Sequence, residues 1–194
     1  MNKIAIFASG SGTNAQCIAE YFHQHKEIVV SHIFSNNPQA YVLKRAEKMN
    51  IPAVVFTRKQ LYQTGEVLMK LKEAGITHIV LAGFLWLIPL SLIQAYPRRI
   101  FNIHPALLPA YGGKGMYGMK VHEAVVKNRE KETGITIHYV NAEYDRGDII
   151  FQAVCPVDEK DTPEEVAQKV HSLEYKYYPR ILEQVILGRE ITGN

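Results

Sequence analysis

Short apolar strands alternate with amphipathic helices over the first hundred residues, and this leaves the chain few folds to choose from. Residues 3–8 form an apolar, partly β-branched run that ends in Ser9-Gly10-Ser11-Gly12. Ala15, Ile18, Ala19 and Phe22 then recur at helical spacing within residues 13–25. The pattern repeats: a strand at 28–34 stopped by Ser35-Asn36-Asn37-Pro38, a helix at 40–49, a strand at 52–56, a helix at 61–74 capped by Gly75, and a strand at 77–82. Strand-helix alternation of this kind specifies a mostly parallel sheet with helices on its faces, and such sheets bind ligands beyond the carboxyl ends of their strands.

A further strand at 99–103 is broken by Pro105, and a glycine-rich loop at 111–118 leads to a helix at 119–127. After Gly134 the pattern changes: two strands, at 135–140 and 148–154, flank a tight connection and predict an antiparallel addition to the sheet. Thr162-Pro163-Glu164-Glu165 opens a last helix that runs towards Leu187-Gly188. The predicted class is α/β, a Rossmann-like, mostly parallel sheet with helices on its faces and an antiparallel C-terminal addition. At 194 residues, with 47% hydrophobic and 21% charged residues, a single domain over 1–194 is expected.

Composition narrows the partners. A formal charge of +3 is too small and too scattered to imply a nucleic-acid or membrane surface, though an anionic small ligand fits. Cys17 and Cys155 belong to no CxxC pair and read as two buried thiols in a reducing compartment. The N-terminal apolar run of five residues is too short for a signal-peptide core, so the expected location is the cytoplasm. The longest apolar stretch, 79–90, contains Gly83 and Pro89 and falls short of the roughly 18 residues of a membrane span.

Three segments carry possible chemistry. Gly10-Ser11-Gly12-Thr13-Asn14-Ala15 lies between a strand and a helix, where free amide N–H groups favour a phosphate. The acidic residue that a dinucleotide site needs about 20 residues later is replaced by Ser35-Asn36-Asn37, so a single phosphate is favoured, with a bare βα turn as the alternative. In Phe101-Asn102-Ile103-His104-Pro105, alternation puts Asn102 and His104 on one face at a strand's carboxyl end. An amide donor beside an imidazole suits an oxyanion and a moving proton, and equally suits a turn cap with a locally bonded histidine. Tyr144-Asp145-Arg146-Gly147-Asp148 reads first as a turn; if it folds over the sheet edge, Asp145 or Asp148 pairs with His104 and raises its pKa. Phe84, Trp86 and Leu87 suit either core or a pocket for a flat heterocycle. His122-Glu123 lacks the second histidine of a metalloprotease helix, and no metal is required.

The segments Ser9-Gly10-Ser11-Gly12-Thr13-Asn14, Phe34-Ser35-Asn36, Leu81-Ala82-Gly83-Phe84 and Asn102-Ile103-His104-Pro105-Ala106-Leu107-Leu108-Pro109, in that order, resemble the phosphoribosylglycinamide formyltransferases among the folate-dependent formyltransferases. The resemblance spans essentially the whole chain and implies a transferase of purine biosynthesis and one-carbon metabolism with the formyltransferase fold. It implies 10-formyltetrahydrofolate as cosubstrate and glycinamide ribonucleotide as acceptor, with no metal, in a monomer or homodimer. A 10-formyltetrahydrofolate hydrolase, or transfer to another amine, is the alternative. The implied catalytic residues are Asn102, His104 and Asp145, with His104 protonated and kept charged by Asp145. Gly12, Thr13 and Asn14 are implied to hold the phosphate and Glu174 to contact the same substrate. Leu85, Trp86, Leu87 and Ile88 are implied to hold the pterin largely through backbone groups, with Asn102 and Val140 completing that site. Trp86 stands where many members have arginine.

Overall fold

The computed structural model describes residues 1–192. Its elements are β1 (Asn2–Phe7), α1 (Thr13–Tyr21), β2 (Ile28–Ser35), α2 (Tyr41–Lys48), β3 (Ala53–Val55), α3 (Arg58–Tyr62), α4 (Glu66–Glu73), β4 (His78–Leu81), α5 (Leu90–Ala95), β5 (Ile100–His104), α6 (Met119–Lys127), β6 (Glu132–Tyr139), β7 (Ile149–Pro156) and α7 (Pro163–Ile186). Met1–Phe101 form one compact unit and the chain from Asn102 onward a second.

In the first unit the strand order is β3-β2-β1-β4, with β5 beginning beside β4. The β1–β2, β1–β4 and β2–β3 pairs are parallel, as the alternation requires. β1 and β4 are central, and their residues Ile4, Ile6, Phe7, Ile79 and Val80 are fully buried. Phe7 stacks on Phe34 with centroids 5.0 Å apart and meets Phe84 edge-on at 5.4 Å, a preferred geometry for aromatic pairs.

In the second unit β5 continues and is followed by β6 and β7, which pair antiparallel. The long α7 starts with the predicted proline and a full capping box, Thr162 with Glu165. It buries Val166, Val170, Tyr178, Ile181 and Leu182, and α6 buries Val121 and Val125. The fold is therefore α/β with mostly parallel strands and an antiparallel C-terminal pair.

The structure departs from the expected elements in four places. The helix expected over 61–74 is two helices: a Thr57–Gln60 capping box starts α3 early, and Gly65, at φ 71°, breaks the chain before α4. α1 stops at Tyr21, and α5 forms directly after Pro89, in a stretch to which the sequence pattern assigns no element. β6 begins at Glu132, three residues before the expected start. Cys155 is buried, but Cys17 is only half-buried, because it lies off the apolar face that Ala15, Ile18 and Ala19 present to the core.

Thr136 on β6 holds the turn that follows β5. Its hydroxyl donates to the Ala106 carbonyl at 2.7 Å and accepts from the Leu108 amide at 2.9 Å and Gln152 Nε2 at 2.8 Å. Because Thr136 is fully buried, Thr136→Val takes this partner from the Ala106 carbonyl and the Leu108 amide, while Gln152 Nε2 keeps the Leu108 carbonyl at 3.1 Å. The expected loss is about 2–3 kcal/mol of unfolding free energy, read from urea midpoints at unchanged slope.

Candidate active site

In the second unit, β5 ends in a polar pair. Ile103 is buried beneath it, while Asn102 and His104 both reach one carboxylate, that of Asp145. Asn102 Nδ2 donates to Asp145 Oδ1 at 3.4 Å, and His104 Nδ1 lies 3.5 Å from Asp145 Oδ2. The Gly113 amide donates to Asp145 Oδ2 at 3.0 Å. The loop that brings Asp145 back is tied by its own groups. Asn141 Nδ2 donates to the Arg146 carbonyl, Asn141 Oδ1 accepts from the Glu143 amide, and Asp145 itself takes a left-handed backbone with φ 54°.

His104 Nε2 lies 2.7 Å from the carbonyl oxygen of Tyr111. A carbonyl can only accept, so the proton of the neutral ring sits on Nε2 and the Nδ1 lone pair faces Asp145. His138, on β6, completes the cluster: its Nδ1 donates to the Tyr139 carbonyl and its Nε2 accepts from Asn102 Nδ2 at 3.1 Å. Thr136 and His138 share a face of β6 by strand alternation, the one sequence signal that could have flagged His138 as a partner of this strand end.

The expected effect of Asp145 on His104 meets an opposing one from burial. Burial lowers the His104 pKa and outweighs the opposing effects of Asp145 and the Tyr111 carbonyl; His138 lowers it further. Burial thus favours the neutral ring. Burial alone would raise the Asp145 carboxyl, but His138, His104 and the Gly113 amide together hold it below its ordinary value. A buried imidazole thus sits beside a fixed carboxylate, and that carboxylate, Asp145, lines a cleft of about 350 Å³ together with Leu108, Gly112, Gly113 and Tyr144. Val140 is half-buried just beyond β6, and Glu174 is a buried carboxylate on α7, four residues before the buried Tyr178.

In the first unit, the glycine turn packs tightly against α2. Gly12 has φ 74°, and a Cβ there would lie 2.4 Å from Val42 Cγ2. Val42 N donates to the Gly10 carbonyl at 3.1 Å, Arg45 Nε donates to the Ser11 carbonyl at 2.8 Å, and Arg45 also bonds Gln16. Thr13 and Asn14 then open α1, where the amides of a first helical turn have no intrahelical acceptor.

The segment with Leu85, Trp86, Leu87 and Ile88 is held from both sides within this unit. Ser9 Oγ accepts from the Leu85 amide at 3.1 Å and donates to Asn36 Oδ1 at 2.7 Å; Tyr62 OH donates to the Leu87 carbonyl at 2.7 Å. Leu85 is exposed, Ile88 is buried, and the Trp86 indole lies 6.2 Å from the Phe56 ring and 6.4 Å from that of Phe84. Arg58 lays its guanidinium over Tyr62 and Trp86, 4.9 and 5.6 Å from the ring centroids. Neither Arg58 nor Tyr62 is singled out by the sequence: the first lies between the strand expected at 52–56 and the helix expected at 61–74, the second inside that helix.

Among the described residues, no helix is long and apolar enough to cross a membrane, and no group of three or more His, Cys, Asp or Glu side chains is placed to hold a metal ion.

An α/β fold whose fifth strand ends in an amide and an imidazole trained on one carboxylate agrees with what sequence comparison finds: the formyl transferase family model matches residues 2–182, and the chain belongs to that family. Within it, the chain is similar to the phosphoribosylglycinamide formyltransferase of Bacillus subtilis (strain 168), 36% identical over 191 residues that cover 96% of this chain and 95% of that protein. It is 40% identical over 188 residues to the chloroplastic phosphoribosylglycinamide formyltransferase of Arabidopsis thaliana, covering 93% of this chain but 64% of the plant protein, less than two thirds of its length. The crystal structure of phosphoribosylglycinamide formyltransferase from Bacillus halodurans superposes with a TM-score of 0.85 at 36% identity, covering 95% of each chain.

Proposed function

We propose that this protein transfers the formyl group of 10-formyltetrahydrofolate to the amine of phosphoribosylglycinamide, a step of purine biosynthesis in the cytoplasm. The observation that carries the reading is the convergence of Asn102 and His104 on Asp145, whose carboxylate lines a cleft, in a chain whose relatives are named for this reaction. The family match runs through both compact units, which supports their acting as one formyltransferase domain over 1–194. The substrates are small molecules, and neither nucleic acid nor a membrane nor a metal takes part.

Gly12, Thr13 and Asn14 hold the ribonucleotide phosphate, with a positive helix terminus as counter-charge, and Glu174 contacts the same substrate. Leu85, Trp86, Leu87, Ile88 and Val140 hold the pterin; the Ser9 and Tyr62 hydrogen bonds that fix residues 85–88 support this, because a preordered backbone edge costs little to dock against. The chemistry needs a new N–C bond from the amine to the formyl carbon and loss of the bond from that carbon to the folate nitrogen. His104 Nδ1 accepts the proton that the attacking amine releases and returns it to the departing folate nitrogen. The imidazolium formed between these events is stabilised by Asp145. Asn102 Nδ2 holds His138 with one proton; its longer 3.4 Å contact with Asp145 is the one that yields to a developing oxyanion.

Because His104 must enter neutral and its pKa is lowered by burial, kcat/KM should stay level through neutral pH and fall only on an acid limb below the ordinary histidine range. A pH–rate profile tests this; an acid limb displaced above that range would show a base held charged at rest. Transfer itself is tested with isotopically labelled formyl donor: the label should appear on the ribonucleotide amine, whereas label recovered only as formate would show a hydrolase.

A further inference from the structure

Tyr111 touches His104 through its carbonyl and is itself tied down at the far end of its side chain. Its backbone lies in the left-handed region at φ 55°, which L side chains rarely adopt. That conformation presents the Tyr111 carbonyl to His104 Nε2 at 2.7 Å. Two residues on, the Gly113 amide donates to Asp145 Oδ2 at 3.0 Å, so one short segment locates both the base and its carboxylate. Gly112, between them, packs closely: a Cβ would lie 2.5 Å from Leu108 Cδ2, which would have to move, and 3.4 Å from Asp145 Cβ. The far end of Tyr111 is clamped to the end of α6. Its hydroxyl donates to Glu130 Oε1 at 2.6 Å and accepts from Asn128 Nδ2 at 2.8 Å. Asn128 caps α6, Arg129 has φ 53°, and the Glu130 amide closes the turn on the Val125 carbonyl.

We propose that Tyr111, anchored through its phenol by Glu130 and Asn128, is a positioning residue that selects the Nε2–H tautomer of His104. The reasoning is electrostatic. A neutral imidazole has one proton, and the nearby Asp145 carboxylate favours it on Nδ1, 3.5 Å away. A ring protonated there has no lone pair on the side where the carboxylate can stabilise a newly taken proton. The Tyr111 carbonyl opposes this by offering Nε2–H the shorter contact, and it can do so only while the strained backbone is held in place. This inference rests on the reading of His104 as the base.

The test is histidine side-chain nitrogen NMR on the full chain, with the His104 signal assigned by its loss in His104→Gln, alongside kcat and KM for formyl transfer. Tyr111→Phe should shift neutral His104 towards the Nδ1–H tautomer and lower kcat about tenfold, with KM for both substrates within about twofold. Glu130→Ala should reproduce both changes, and Glu130→Gln, which keeps an acceptor oxygen, should largely restore the wild-type values. A wild-type tautomer ratio in Tyr111→Phe and Glu130→Ala overturns the proposal, whatever happens to the rate, because it reduces the phenol to a surface anchor. If the wild-type protein transfers no formyl group, the functional reading fails, and the tautomer ratios still decide this one.

Discussion

Asp145→Asn should lower kcat and kcat/KM together by about 10³-fold while leaving KM for either substrate within about threefold, the range in which positioned proton transfer operates. The size follows from what the amide does at that place. The carboxylate accepts from the Gly113 amide and from Asn102 Nδ2 and faces His104 Nδ1 at 3.5 Å. An asparagine keeps one acceptor, and with the Gly113 amide claiming it at the Oδ2 place, the NH₂ group replaces Oδ1, where it meets the Asn102 Nδ2 donor and disturbs the amide. The oxygen left opposite His104 is uncharged and offers the imidazolium no counter-charge once a proton arrives. Steady-state kinetics on a variant with a wild-type thermal midpoint decide the matter. Undiminished turnover would take the carboxylate out of the chemistry.

Gly12→Ala should damage the first unit nearly as severely, by another route. The residue has φ 74°, where a Cβ costs roughly 1–2 kcal/mol, and that Cβ would lie 2.4 and 2.5 Å from two side-chain atoms of Val42 and 2.9 Å from its Cα. Overpacking adds about 1–3 kcal/mol, since the Cα of α2 cannot rotate away as a side-chain tip would. The expected sum, roughly 2–5 kcal/mol, lowers the thermal midpoint by about 5–15 °C in a chain of this size. The relief available is to push the glycine turn off α2, which moves the opening amides of α1. KM for the ribonucleotide should therefore rise at least tenfold, with kcat changed much less, and thermal unfolding with substrate titration reads both. An unchanged midpoint would show that the contact between this turn and Val42 is looser than described.

The same residues show which parts of the architecture were readable in advance. Parallel pairing in the first unit follows from the period of its apolar residues, and the shared face of Asn102 and His104 follows from strand alternation; both are local rules. The meeting of Asp145 with that pair is not local. It depends on a left-handed Asp145, the Asn141 clamp and a Gly147 whose Cβ would lie 1.6 Å from the Tyr139 carbonyl, and spacing alone reveals none of these. The family resemblance, not the spacing, singled out Asp145. The electrostatics of His104 are hidden for a related reason: a His–Asp pair on paper raises the histidine pKa, but burial, which lowers it, is a property of the folded chain. His138 and Tyr111 escaped notice because their work is done through hydrogen bonds to Asn102 and His104 from 36 and 7 residues away. Thr57-x-x-Gln60 and Gly65, by contrast, were in plain view as start and stop signals, and weighing them would have divided the long helix correctly.

The central claim is that this chain moves a formyl group from folate to an amine through His104. The most direct measurement is the rate of tetrahydrofolate release from 10-formyltetrahydrofolate, with and without phosphoribosylglycinamide, in the wild-type protein and in His104→Ala. Release that requires the ribonucleotide and falls by about 10³-fold or more in the variant is the predicted result. Release that proceeds equally without the ribonucleotide, or that survives loss of the imidazole, would contradict it.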